Sequence, residues 1–91
     1  MRHQKRQMSK INIYRNRIEA LSHDIVALVE RRAIASHQIA EFKKTAGMPI
    51  IDEDREQELL ARLKARTKLP EELVEDLFEV IIKHSRNIQS R

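Results

Sequence analysis

Arg32 and Lys43 stand eleven residues apart in a stretch with helical periodicity. Eleven residues are about three turns, so both side chains leave the same face, about 16 Å apart along the axis. Two long cationic side chains reaching inward leave a gap sized for a small molecule with anionic groups. Ile39 supplies an apolar floor between them. Arg55 follows Asp52 by three and can join from a second helix. An arginine fork matches a carboxylate bidentately. More cations than acids converge on this gap, so the expected guest is a small polyanion, a dicarboxylate.

What makes Arg32 conspicuous is its position on an apolar seam, where Leu or Ile belongs. Other polar residues intrude in the same way. Glu56 precedes Leu59, Leu60 and Leu63 by three, four and seven, so it heads an apolar stripe. Ser85 is four after Ile81 and three before Ile88, and Gln89 is four after Ser85. Each has a plain structural reading when taken singly. Arg32 could fix a helix register at a cost in stability. Glu56 could be a first-turn helix charge. Ser85 could bond back to its own helix, and Gln89 could be exposed. Together they are harder to dismiss. A buried unpaired charge costs on the order of several kcal/mol, so these groups should meet each other or a ligand.

Three helices must position these residues. In the first, Ile11, Tyr14, Ile18, Leu21, Ile25, Leu28, Arg32, Ala35, Ile39, Phe42 and Ala46 recur at spacings of three and four. That is a heptad seam held over about five heptads. Ser9 can cap its start. Lys43 and Lys44 suit its C-terminal end, Gly47 can take the left-handed conformation beyond it, and Pro49 prevents continuation. The second helix opens in IIDEDREQELL, with Asp52 or Asp54 as cap and Leu59, Leu60 and Leu63 as stripe. The third begins near Pro70 and carries Val74, Leu77, Phe78, Ile81 and Ile88. The fold class is all-α: a three-helix chain with one very long N-terminal helix. Residues 1–8 read as a basic tail and 9–91 as one helical domain.

Length then argues for a partner. A helix over residues 9–46 is about 57 Å long, whereas a compact chain of this size has a radius of gyration of about 12 Å. The shorter helices cannot cover the whole seam, so an intertwined homodimer is expected.

Composition excludes several classes. The 91 residues include one Gly, two Pro, no Cys and no Trp. No disulfide framework or thiolate metal site can form, and a cysteine-free chain fits a reducing compartment, the cytoplasm. No apolar run approaches the roughly 20 residues of a membrane span, and MRHQKRQMSK lacks the hydrophobic run of a secretory signal. His3, His23, His37 and His84 have no ligand grouping, and DEDREQE lacks the central Gly of a calcium loop. No metal and no cofactor are expected. Residues 1–17 hold six Lys or Arg and no acid, while the remainder is net −2. The body is therefore no basic surface, and three aromatics give no stacking platform for single strands, so nucleic acid is not the expected partner.

Four strings carry a family resemblance: RNRIEALSHDIVALVERR at 15–32, IASHQIAEFK at 34–43, PIIDEDREQELL at 49–60 and LFEVIIKHSRNIQ at 77–89. In this order, with spacing kept among the first three, the chain resembles the small all-helical chorismate mutases over about residues 11–90. KARTKLP, between the second and third helices, looks a few residues shorter than in relatives. The resemblance implies an intertwined homodimer with two equivalent active sites. It implies that Arg15 reaches the partner's site and binds a substrate carboxylate, and that Arg32 binds the carboxylate of the enolpyruvyl side chain. Lys43 would contact that side chain and the ether oxygen, and Gln89 would donate to the same oxygen. Arg55 would help hold the carboxylates, with Ser85 beside them. Asp52 and Glu56 would take the ring hydroxyl, and Ile39 would pack on the ring. Gln rather than Glu at 89 implies that this group needs no protonation by acid.

The implied reaction is the pericyclic rearrangement of chorismate to prephenate in aromatic amino-acid biosynthesis. It needs no nucleophile, general base or metal. Two alternatives remain. An isochorismate-pyruvate lyase shares the fold, but such relatives look as though they lack the carboxylates matching Asp52 and Glu56. A non-catalytic helical dimer binding nucleic acid through its tail explains the heptads but not the polar intruders.

Overall fold

The computed structural model describes residues 2–90, with side chains described for residues 7–90. Three helices follow in order: α1 at Arg2–Ala46, α2 at Glu53–Ala65 and α3 at Glu71–Gln89. No strand occurs among the described residues. Helix α1 starts earlier than its apolar seam does. Ser9 falls inside the helix and caps nothing, because the preceding residues contain no Gly or Pro and several good helix formers. No described helix is long and apolar enough to cross a membrane.

The chain divides into two compact units, residues 1–31 and residues 32–91. The first is a helical segment. The Arg17 guanidinium lies 5.7 Å from the centre of the Tyr14 ring, and the Ser22 hydroxyl donates back to the Ile18 carbonyl at 2.7 Å. His23 lies 3.8 Å from Glu19 one turn before it. Ile11, Tyr14, Ile18, Leu21, Ile25 and Leu28 are all exposed.

The second unit holds the core. Its first element is the C-terminal part of α1, which ends in a left-handed turn. Gly47 has φ +66°, its N–H donates to Lys44 O at 3.4 Å, and the Met48 N–H donates to Lys43 O at 2.9 Å. This pair of bonds is a Schellman ending, in which a residue without a Cβ takes positive φ without strain. Helix α2 is capped by Asp52, whose carboxylate accepts from the Arg55 N–H at 3.0 Å. Glu53, Asp54 and Glu56 occupy its first turn, where the helix dipole favours negative charge. Pro70 is the N-cap of α3 rather than its first helical residue, and Glu71 and Glu72 follow it. Lys64 of α2 and Glu75 of α3 form an ion pair across the hairpin of helices.

The buried residues here are Ser36 and Ala40 on α1 and Val74, Ser85 and Ile88 on α3. On α1, Ser36, Ala40 and the half-buried Ala33 and Lys43 join the half-buried seam residue Arg32 in a face one step round from the rest of the expected seam. The seam residues Ile39 and Phe42 stay exposed, Phe42 at 68%. On α3, Leu77 is also exposed, and the covered stripe runs Val74, Phe78, Ile81, Ser85 and Ile88. Two of the five covered residues are thus hydroxylic, and both belong to the site.

Candidate active site

The polar intruders meet in one cavity of about 280 Å³ within the second unit. This is close to the lower bound of about 300 Å³ typical of ligand pockets. Helix α1 contributes Arg32, Ser36, Ile39 and Lys43; the loop and start of α2 contribute Ile50, Asp52, Arg55, Glu56 and Leu59; α3 contributes Ile82, Ser85, Arg86 and Gln89. Eight of the nine residues expected from the sequence line it. Arg15 belongs to the first unit.

Arg32 is held from α3. Its guanidinium donates to the Ser85 hydroxyl oxygen. The Ser36 hydroxyl donates to the same oxygen at 3.3 Å, and Ser85 in turn donates to Ile81 O at 3.2 Å. A hydroxyl has one donor and two acceptor lone pairs. Ser85 uses all three within the protein. Ser85 thereby holds the arginine, and the remaining N–H groups of the guanidinium have no partner among the described residues. We predict that Ser85→Ala lowers kcat/KM roughly tenfold, because an unclamped arginine loses part of its orientation advantage. The same change leaves the buried Ser36 hydroxyl without that acceptor, at a cost of about 1–3 kcal/mol. Kinetics and a thermal melt on one preparation separate the two effects; unchanged kcat/KM would refute the clamp.

Lys43 is fixed by the turn that ends α1. Its ammonium donates to Ile50 O at 2.7 Å and to Gln89 Oε1 at 3.1 Å. An ammonium has three donors, so one remains. Gln89 spends its amide oxygen on Lys43, and its two amide donors have no partner among the described residues. Both groups therefore present spare N–H donors at the same end of the cavity. Arg55 likewise lines the cavity without a side-chain partner among the described residues.

Glu56 behaves differently. Both of its carboxylate oxygens accept from Arg86, Oε2 from Nε at 2.9 Å and Oε1 from an Nη. This bond raises the Arg86 pKa above its ordinary value. Sequence reasoning missed Arg86 and Ser36. The signal for Arg86 was its place four after Ile82 and three before Gln89, on the covered edge of α3. Ser36 lies four after Arg32, but a serine there marks no apolar stripe.

In sum of charge, four cations (Arg32, Lys43, Arg55, Arg86) face two acids (Asp52, Glu56), a formal excess of two positive charges. No buried side-chain polar atom among the described residues lacks a partner. Fold and cavity together define a small all-helical protein with a fixed, cation-rich pocket.

Comparison with known proteins gives the class a name. The sequence profile of the family "Chorismate mutase type II" matches residues 14–90. The chain is also similar to the protein named "Chorismate mutase" of Methanocaldococcus jannaschii, at 25% identity over 87 residues, 92% of this chain and 88% of the relative. No solved structure matches it. The chain belongs to the chorismate mutase type II family and is an isomerase of that kind.

Proposed function

We propose that the 280 Å³ cavity is where this chorismate mutase converts chorismate to prephenate, and that a second copy of the chain completes it. The observation that carries the reading is the pair Lys43 and Gln89. Bonded to each other, they still hold N–H donors unspent beside a cluster of arginines. The reaction breaks one C–O bond and forms one C–C bond within a single molecule. No atom enters or leaves. Catalysis must therefore come from conformation and charge.

Arg32 and Arg55 hold the two carboxylates of the dianion, which selects the compact conformer with the enolpyruvyl group over the ring. Ile39 packs on the ring, and Asp52 and Glu56 receive its hydroxyl. As the C–O bond lengthens, negative charge grows on the ether oxygen. The third ammonium proton of Lys43 and the amide of Gln89 are aimed at that charge. Donors fixed in advance need no reorganisation as it develops.

The partner is a second copy of this chain. Ile11, Ile18, Leu21, Ile25 and Leu28 are exposed on one helical seam, Ile18 at 63%. Leaving each in water forgoes on the order of 1.5–3 kcal/mol. Seam pairing between two long helices would recover it, and Arg15, on the same helix, would enter the partner's cavity as a further carboxylate ligand. The cysteine-free composition accords with a cytoplasmic enzyme.

Purified protein without added metal or cofactor should consume chorismate, followed by its ultraviolet absorbance, and yield prephenate. Arg32→Ala should abolish most of this while retaining helix content. Salicylate from isochorismate, without prephenate from chorismate, would instead assign the lyase activity of the same fold. The carboxylates of Asp52 and Glu56 at the cavity favour the mutase.

A further inference from the structure

Arg86 stands outside the set of residues just given roles, yet its guanidinium donates to both carboxylate oxygens of Glu56. The two side chains come from different helices and line both the cavity and a groove of about 470 Å³ between α2 and α3. That groove has an apolar floor of Leu60, Phe78 and Ile82. The pair therefore forms the partition between the cavity and the groove.

We propose that Arg86 is a positioning residue of the mutase site, which aims Glu56 at the substrate hydroxyl and cancels its charge toward the substrate carboxylates. The inference rests on the cavity being the active site. A carboxylate has about four lone-pair positions. Arg86 takes one on each oxygen and leaves one on each, so Glu56 keeps acceptor capacity only on the side facing away from Arg86. A free carboxylate beside a dianion would repel it; a carboxylate neutralised by a bidentate guanidinium does not. Arginine suits this because its planar fork sets both distance and angle, whereas lysine supplies a point charge.

The role predicts a particular kinetic pattern. The ring hydroxyl is present in ground state and transition state alike, so losing its acceptor should weaken uniform binding. Arg86→Met, which retains most of the stem against the groove, should raise KM about tenfold and change kcat by less than about twofold. Glu56→Gln should do much the same. The double variant Arg86→Met/Glu56→Gln should be no worse than either single, because Arg86 acts only through Glu56. Arg86→Lys keeps charge and length and should recover part of the KM, not all of it.

Three results overturn the proposal. An unchanged KM in Arg86→Met would show that Glu56 needs no aiming. Multiplying effects in the double variant would show that Arg86 touches substrate itself. Wild-type behaviour of Arg86→Lys would show that fork geometry is irrelevant. If Arg86→Met loses helix content, Arg86→Lys and the Lys/Gln double variant decide the same question. Lys43→Ala in the same assay separates this failure from a deeper one. An inactive Lys43→Ala with a normal Arg86→Met sinks only the role of Arg86, whereas an active Lys43→Ala sinks the site.

Discussion

Lys43→Ala is expected to lower kcat on the order of 10²–10³-fold while the helices persist. The size follows from what the ammonium does with its three protons. Two are committed to Ile50 O and Gln89 Oε1, which pin the nitrogen at the end of α1. On the proposed reading the third would meet the ether oxygen, which carries little charge in the substrate and much more at the transition state. An interaction that strengthens only on the way to the transition state lowers the barrier rather than KM. Truncation also frees the Gln89 amide, whose oxygen loses its donor, so the second contact proposed for the ether oxygen would loosen with the first. The fold should survive, since the lysine lies in the last turn, and the favourable charge–dipole contribution there is about 0.3–1 kcal/mol. Lys43→Arg should not rescue, because a planar fork cannot serve two acceptors from different elements and a third oxygen as a compact ammonium does. Circular dichroism with steady-state kinetics checks both halves. A Lys43→Ala enzyme with most of its turnover would remove the electrostatic account.

How much of this could be read from the chain depends on whether a feature announces itself by contrast. Arg32 did, because a permanent charge on an apolar seam is expensive. Lys43 followed from it by helical spacing, and Asp52 and Gly47 by the local chemistry of helix ends; Asp52 caps α2 and Gly47 takes positive φ. The covered face of α1 did not announce itself. It is built from Ala33, Ser36 and Ala40, small residues that let neighbouring side chains approach but carry no hydrophobic signal. The louder stripe of Ile, Leu and Phe on the same helix points elsewhere and is exposed in the single chain. A pattern search follows the louder stripe. Arg86 was hidden for a related reason. A charged residue on a helix edge normally reads as solvated, and only its pairing with Glu56 thirty residues away reveals it. The start of α1 was misplaced because the apolar pattern begins after the helix does, and helix propensity alone carries the basic segment before it.

The exposed seam leads to the second large effect. If Arg15 completes the partner's cavity, each site is made from two chains, Arg15 from one and Arg32, Lys43 and Gln89 from the other. Arg15→Ala and Lys43→Ala should then each be nearly inactive alone. Unfolded together, mixed in equal amounts and refolded, they should regain about a quarter of wild-type activity. Half of the dimers formed at random are mixed. In each mixed dimer one site takes its arginine and its lysine from the unaltered copies, and the other site lacks both. No rearrangement within a single chain can produce this result, because neither parent carries a complete set. The recovery should also depend on exchange between chains. Mixing the folded variants without denaturation should restore activity only as fast as dimers dissociate, and intertwined helices dissociate slowly, since separation exposes the whole seam at once. A mixture that stays as inactive as its parents would mean that Arg15 serves its own chain or no site at all. The apolar seam would then need another partner to account for it.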